Sequence, residues 1–318
     1  MQARTWLLVW SSVLLLGCGF VGRILQRNIS APETKPVAHK LHDPVRSDAR
    51  LAVLWIGHAT ALVQLDDKFV LTDPVFTHSV GQLSPRLVEP GLDPEHLPAL
   101  AAVVISHMHF DHLSFGSLDQ IEDRTPLALV PPGVKASMPR YAFEIRELDR
   151  WQSYEKDGLR ITAVPVRHVG GRYGIDVAFE PKAFTGYVIE YHGLSVYFGG
   201  DTAYAPNAFR ATRERFPNLA LALLPICPDA PRHFMHHTHV DSSEALDAFA
   251  LLGARWMVPI HFDTFINSDD MPGGCGRELR WQVYRHGLAD DRVAILEIGE
   301  QRVLMSATAR TAGTSTPR

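Results

Sequence analysis

Cysteine is scarce in this chain, and its scarcity argues against two kinds of small scaffold. Only Cys18, Cys227 and Cys275 occur in 318 residues, and no two of them form a CxxC pair. A zinc cluster held by thiolates is therefore excluded, and there are too few cysteines for a disulfide-rich scaffold. In an oxidising compartment, Cys227 and Cys275 remain available as a single disulfide pair.

An excess of positive charge is also missing. The chain has 31 basic and 35 acidic residues, so its formal net charge is −4, and it carries no basic footprint for nucleic acid. The hydrophobic share of 46% is typical of a globular core and argues against wholesale disorder. Histidine is the residue in excess, with sixteen copies, and it is the commonest metal ligand in proteins.

The N-terminal segment carries no charge from residue 5 to residue 22. Its most apolar part, residues 6–16, suits the core of a signal peptide. It ends in Leu15-Leu16-Gly17-Cys18, which resembles the bacterial lipobox, the motif whose cysteine is lipidated. We therefore expect a lipoprotein of the bacterial cell envelope that faces the periplasm. Two alternatives remain open: an uncleaved membrane anchor, and a cleaved signal peptide with a chance cysteine.

Composition divides the chain into four segments. Residues 1–22 are predicted to be the signal or anchor, 23–50 a polar, proline-containing linker, 51–306 the globular domain, and 307–318 a flexible tail. Within the domain, short apolar runs predict strands and amphipathic patterns predict helices. We expect strands over 101–105, 127–130, 161–166, 195–198 and 256–260, and helices over 242–252 and 278–286.

A run of metal-ligand side chains follows directly on the strand predicted over 101–105. His107, His109, Asp111 and His112 stand within six positions. Alternation along the chain directs the first two to one side, whereas the following turn presents the last two in another direction. Four ligands divided in this way suit two metal ions better than one. Imidazole and carboxylate ligands suit zinc, and also iron or manganese.

Three later positions repeat this arrangement. His168, Asp201 and His261 each follow a predicted apolar strand, and strand ends are rigid platforms for ligands. Together with the first run they supply seven ligands. That number fits two metal ions that share one bridging carboxylate.

These residues resemble the metallo-β-lactamase superfamily, through the HxHxDH run, the later histidine, the segment 199–202 (GGDT) and the histidine after a strand. Residues 55–60, 71–76, 231–235 and 239–241 are similar to its N-acyl-phosphatidylethanolamine-hydrolysing phospholipase D branch. The resemblance implies an α/β fold, an αββα sandwich with the metal site at one edge of its two sheets.

The resemblance also implies a role for each residue. His107, His109 and His168 would hold the first zinc ion, and Asp111, His112 and His261 would hold the second. Asp201 would bridge the two ions, and His239 matches a histidine implicated in catalysis.

Four further positions need separate interpretation. His58 and Asp73 follow early strands and are expected either to orient ligand imidazoles or, for Asp73, to form a local turn with the next proline. Met108 separates the first two ligands, and alternation directs it away from the metals. His233 stands where the lipase branch has a tryptophan.

We expect, on this basis, a hydrolase with two zinc ions per chain, iron or manganese being the other candidates. Its substrate would be the phosphodiester of N-acyl-phosphatidylethanolamine or a related phospholipid, reached at a membrane surface. His239, Asp111 and Asp201 are the candidate catalytic residues. The alternatives are a lactonase or another small-molecule metallohydrolase, and a membrane-tethered metal-binding module without activity.

Overall fold

Two β-sheets form the centre of the structure, a computed structural model that describes residues 19–172, 182–289 and 291–307. The first sheet has seven strands in the order β15-β1-β2-β3-β6-β7-β8. These strands are β1 (Ala49–Gly57), β2 (Thr60–Leu65), β3 (Lys68–Thr72), β6 (Ala102–Val104), β7 (Leu127–Val130), β8 (Glu144–Glu147) and β15 (Gln301–Ser306). A small hairpin, β4 (Ser79–Val80) with β5 (Ser84–Pro85), lies between β3 and β6 in the chain.

The second sheet has six strands in the order β14-β13-β12-β11-β10-β9. These strands are β9 (Ser153–Lys156), β10 (Leu159–Val164), β11 (Gly186–Tyr191), β12 (Leu194–Phe198), β13 (Leu221–Pro225) and β14 (Trp256–Ile260). Most of its strands are buried on both faces, which explains why the sequence shows continuous apolar runs rather than alternation.

Six α-helices occur in the described part of the chain, besides three short 3-10 helices at Pro94–His96, Glu122–Arg124 and Lys135–Ser137. The α-helices are α1 (residues 19–29), α2 (Phe115–Gln120), α3 (Pro206–Arg215), α4 (Arg232–Met235), α5 (Ser242–Leu252) and α6 (Gly274–Arg285). Asp241 caps α5, because its side chain accepts a hydrogen bond from the backbone of Glu244 while Glu244 reaches back to the Asp241 backbone. Gly253 ends the same helix in a left-handed conformation at φ 67°.

The layers follow the predicted αββα order. One apolar cluster joins the facing sides of the two sheets, with Val53 of β1 and Ile189 of β11 among its members, and also takes in α5 and α6 on the outer face of the second sheet. The second cluster joins the outer face of the first sheet to Leu118 of α2. The predicted fold class is therefore confirmed.

The segment before β1 differs from a free linker. Residues 23–50 include part of α1, and backbone bridges tie Lys35 to Val88 and Leu41 to Leu92. These bridges give the polar stretch hydrogen-bond partners along the domain, so it lies against the surface. Most of the predicted signal or anchor, residues 1–18, and most of the predicted tail, residues 308–318, lie outside the described residues. Among the helices that are described, none has the length and apolarity needed to cross a membrane.

Candidate metal centre

The chain leaves both sheets at one edge, and the ligand-type side chains lie on the connections there. His58 follows β1, and Asp73 follows β3. The run 106–112 follows β6, and Asp201 and His261 follow β12 and β14. Parallel pairing of β3 with β6 and of β13 with its neighbours β12 and β14 places their carboxyl ends at the same edge.

Three histidine nitrogens form the first ligand group. His109 Nδ1 lies 2.8 Å from His107 Nε2 and 3.4 Å from His168 Nε2. His107 is buried and His168 nearly so. Three imidazole nitrogens that converge at this spacing form a site for one cation.

A second group of four side chains lies beside the first. It consists of His58, Asp111, His112 and His261, whose ligand atoms lie within 4.8 Å of one another. Asp111 Oδ2 is 2.9 Å from His58 Nε2 and 3.6 Å from His261 Nε2. Of these four, only His58 falls outside the set of ligands expected from the sequence.

Asp201 lies between the two groups. Its Oδ2 atom is 3.2 Å from His261 Nε2 and 3.3 Å from His112 Nε2 in the second group. The same oxygen is 3.9 Å from the Nε2 atoms of His107 and His168 in the first. Its other oxygen, Oδ1, is buried without a hydrogen-bond partner in the described part of the chain. One carboxylate oxygen is thus shared and the other is left for a cation, which is the arrangement of a bridging ligand.

Hydrogen bonds behind two of the rings fix which nitrogen faces the centre. His168 Nδ1 donates to the carbonyl oxygen of Thr238 and His261 Nδ1 donates to that of Cys227, both at 2.9 Å. Because a carbonyl oxygen can only accept, Nδ1 of each ring carries a proton and Nε2 is the nitrogen that faces the centre.

Asp73 fixes two further rings. It accepts from His112 Nδ1 at 2.6 Å and from Ser106 Oγ at 2.6 Å. Since Ser106 has given its only proton to Asp73, it accepts from His107 Nδ1 at 2.9 Å. In a local turn, the Asp73 side chain would accept a hydrogen bond from the backbone amide of Val75. That amide donates instead to Thr60 Oγ1. The observed contacts therefore favour the orienting role that was one alternative for Asp73.

The electrostatics of the centre favour a positive charge. Burial opposes the charged form of His261, but Asp201 and Asp111 outweigh it and raise the pKa of His261 to about 9. Burial also opposes ionisation of Asp201, yet the surrounding imidazoles hold its pKa well below the usual range. Burial instead lowers the pKa of His58 to about 3 and of His168 to about 4, so both rings are neutral at neutral pH. A field that attracts a proton attracts a metal cation for the same reason, and the donor set therefore fits two metal ions.

His239 borders the centre outside the two groups described above, although its ring lies within 4.8 Å of ligand atoms of His168 and Asp201. Its Nδ1 atom is 3.6 Å from Asp201 Oδ2 and has no hydrogen-bond partner among the described residues. Burial lowers the pKa of His239 well below its usual value. Arg232 Nη1 donates to the His239 carbonyl at 3.0 Å, while the Arg232 guanidinium pairs with Glu244 and Asp241. The backbone of His239 is thereby tied to the start of α5.

Arg172 clamps the loop that carries the first run of ligands. Its Nη1 atom donates to the carbonyls of Met108 and Leu113, at 3.0 and 2.8 Å. Its guanidinium lies 4.3 Å from the ring centroid of Phe110 and 4.2 Å from that of Phe115. Neither Arg172 nor Arg232 was expected from the sequence, because their contacts depend on segments far apart in the chain.

The remaining sequence expectations are settled by position. Met108 is buried in the apolar cluster under α2, directed away from the ligands as expected. His233, which stands where the lipase branch has a tryptophan, is exposed. Cys227 and Cys275 form a disulfide, with Cα atoms 6.2 Å apart.

Comparisons with known proteins identify the family of the chain. The family model for the beta-lactamase superfamily domain matches residues 68–262. N-acyl-phosphatidylethanolamine-hydrolyzing phospholipase D 1 of Caenorhabditis elegans is 31% identical over 73% of this chain and 69% of its own. A UPF0173 metal-dependent hydrolase of Methanopyrus kandleri is 29% identical over 79% of this chain and 98% of its own.

One solved structure supports the fold. The isothiocyanate hydrolase from Delia radicum gut bacteria aligns with a TM-score of 0.63 at 21% identity, over 80% of this chain and 100% of its own. At that identity the likeness concerns the fold rather than the substrate.

Proposed function

The chain belongs to the metallo-β-lactamase superfamily, and on that premise we propose that it hydrolyses the phosphodiester of a membrane phospholipid with two bound metal ions. It is a metal-dependent hydrolase of this superfamily, as its family and relatives show. The observation that carries the finer proposal is Asp201 Oδ2, which lies within 3.9 Å of ligand nitrogens from both groups. A pair of adjacent cations suits a phosphodiester, because its negative charge is shared by two oxygens and further charge develops while one ester bond breaks.

The ligands in this proposal are those expected from the sequence. His107, His109 and His168 hold one ion, Asp111, His112 and His261 hold the other, and Asp201 bridges them. Zinc is the proposed metal because imidazole and carboxylate donors suit it. When bound, the ions lower the pKa of water and offset the negative charge that develops on the phosphate.

Asp201 and Asp111 position the reacting groups through their carboxylates. Asp201 Oδ2 faces the Nε2 atoms of both ligand groups and would be a ligand of both ions. Asp111 Oδ2 lies 2.9 Å from His58 Nε2, so His58 directs this carboxylate toward the second group. Both carboxylates are held ionised by the neighbouring imidazoles, which keep the pKa of each well below its usual value against the effect of burial.

His239 is proposed to act on the substrate itself. Its Nδ1 atom is the polar atom near Asp201 that no residue of the described chain satisfies. In that position the ring donates a hydrogen bond to a phosphate oxygen or, once the negative charge of a bound phosphate offsets the effect of burial on its pKa, passes a proton to the leaving alcohol. Arg232, which holds the His239 carbonyl, keeps the ring in place for either role.

A digestion of total lipid extract tests the proposal. Protein loaded with zinc is incubated with the extract, and the products are read by mass spectrometry for phosphatidic acids and released head groups. Asp201→Asn is the matched control, because it keeps the side-chain size and removes the charge. Loss of intact phospholipid with wild-type protein alone supports the proposal.

Two results would contradict it. Hydrolysis of lactones or other small carbonyl compounds, with phospholipid untouched, would identify a small-molecule hydrolase of the same fold. A metal-loaded protein inert toward phosphodiesters, esters and lactones would identify a binding module.

We further propose that Cys18 is lipidated and holds the domain at a bacterial membrane, facing the periplasm. The support is the lipobox-like sequence 15–18 after an uncharged segment. Several acyl chains anchor a protein stably, and a surface-held enzyme meets bilayer lipid at high effective concentration. Cys18→Ser should therefore release protein from membranes and slow hydrolysis of bilayer phospholipid while leaving a soluble phosphodiester unaffected. Unchanged membrane retention would instead indicate an uncleaved anchor over residues 5–22.

A further inference from the structure

Exposed apolar side chains are concentrated near one end of the metal edge. Ten large apolar residues are exposed in the described chain, and five lie on α1 or on segments close to it. We call these five the apolar face: Val21, Leu25, Ile29, Phe234 and Met271. Their exposed fractions range from 44% for Leu25 to 77% for Ile29. Side chains of this kind are normally scattered singly over a protein surface, so their concentration indicates a contact surface.

The α1 helix presents its share of this face as one stripe. Val21, Leu25 and Ile29 recur every four residues and therefore lie along one side of the helix. The helix is bound to the domain by other residues, since Arg23 pairs with Asp269 at 2.6 Å. Asn28 Nδ2 also donates to the Ile266 carbonyl at 3.0 Å. The exposure of Val21, Leu25 and Ile29 shows that the stripe faces away from the domain.

The same helix borders a cleft that reaches the candidate metal centre. Arg27 Nη2 donates to the Asp270 carbonyl at 2.7 Å, and Arg27 lines the cleft together with His58, His261 and Met271. Phe20 of α1 packs against Phe234, with ring centroids 5.4 Å apart. Met271 of the apolar face therefore lines an opening beside His58 and the ligand His261.

We propose that the apolar face inserts into the surface of a phospholipid bilayer and holds the cleft against the lipid. The occupant follows from the chain directly before α1, which begins at residue 19. A lipidated Cys18, as proposed above, or an uncleaved, uncharged segment over residues 5–18 would each hold the start of α1 at a membrane. The stripe then continues from this membrane-held start into the domain. This inference rests on the proposed phospholipid substrate where it gives the apolar face a role in the reaction. The positions of the exposed residues do not depend on that substrate.

The test compares two substitutions of matched exposure in the full chain. Leu25→Glu places a charge in the apolar face. Val45→Glu is the control, because Val45 is similarly exposed, at 47%. It precedes the start of β1, the end of that strand farthest from His58. Leucine and glutamate have similar helix propensities, so α1 should persist, and circular dichroism checks that it does. The probe is vesicles of phosphatidylethanolamine and phosphatidylcholine, and bis(p-nitrophenyl) phosphate is the soluble substrate.

We expect Leu25→Glu to slow vesicle hydrolysis about tenfold, the effect of losing burial of one leucine-sized side chain. The soluble substrate should be turned over as before, and Val45→Glu should match wild type on both substrates. Hydrogen exchange should also slow over residues 19–29 and 232–235 when vesicles are added to wild-type protein.

Three results would overturn the inference. Equal losses for Leu25→Glu and Val45→Glu would show a general charge effect, and unchanged exchange over residues 19–29 would show that the face stays in water. A dimer in sedimentation that Leu25→Glu dissociates, with vesicle hydrolysis unchanged, would show that a second copy covers the face. If wild-type protein hydrolyses no phosphodiester, the proposed function fails, while the exchange measurement still decides whether the face meets lipid.

Discussion

Asp201 is the residue on which the two-ion arrangement depends. One of its oxygens faces nitrogens of both ligand groups, and the other is buried without a partner among the described residues. Asp201→Asn keeps the shape but replaces a charged acceptor with a group that includes an N–H donor. We expect loss of both metal ions and a fall in turnover of at least about hundredfold. Elemental analysis beside phosphodiesterase assays measures the two effects. Retention of two metal equivalents would contradict the bridging role.

His239 should respond differently, because it lies beside the ligand groups and belongs to neither. His239→Ala is expected to keep both metal ions and to lower turnover by about 10² to 10⁴, the usual contribution of a positioned acid or base. The same two measurements separate it from Asp201→Asn. If His239→Ala loses a metal ion, the assignment of ligands to the two groups is wrong.

A helix or strand can be predicted from the sequence when the pattern that indicates it lies within its own residues. Strand β7, helix α5 and strand β14 have the bounds expected from the sequence, because each is an apolar run or stripe with clear ends. Strands β8 and β9 were not expected, since their residues are charged or polar and largely exposed. Helix α6 begins at Gly274 rather than at 278, because glycines at 274 and 276 obscure the start of its pattern.

In the site, too, some residues can be predicted from the nearby sequence, whereas others are recognised only from contacts with distant segments. Ligand histidines and aspartates stand out because they follow apolar strands that can be read from the chain. The groups that orient them, such as the carbonyls of Thr238 and Cys227, are backbone atoms with no residue-type signal. Arg172 and Arg232 act through contacts with distant segments, so only the folded chain reveals them.

The start of α5 links helix stability to the site. Asp241 caps the helix and also lies 3.4 Å from Arg232, which holds the His239 carbonyl. Asp241→Ala should lower the free energy of unfolding by about 1 kcal/mol, the usual cost of a lost cap. It should also lower turnover, because Arg232 loses one partner. The control is Asp247→Ala, on the exposed side of the same helix. Equal denaturation midpoints for the two variants would contradict a capping role.

For the molecule as a whole, we expect the metal ions to hold the two sheets together. The first sheet supplies the run 107–112 after β6, and the second supplies His168, Asp201 and His261 after β10, β12 and β14. Each group therefore takes ligands from both sheets. An ion bound across this edge is lost when the sheets separate, so its binding energy adds to the stability of the fold.

Metal removal should accordingly lower the melting temperature as well as abolish activity. A ligand held at 1,000 times its dissociation constant stabilises the folded state by about 4 kcal/mol. For a domain of this size, 1 kcal/mol corresponds to about 2–4 °C, so chelation should lower Tm by roughly 10 °C. Calorimetry before and after treatment with a chelator measures the shift, and carefully purified protein should contain close to two metal equivalents. Added zinc should restore both Tm and turnover. A chelated protein that has lost its metal but keeps its Tm would show that the sheets are held together without the ions.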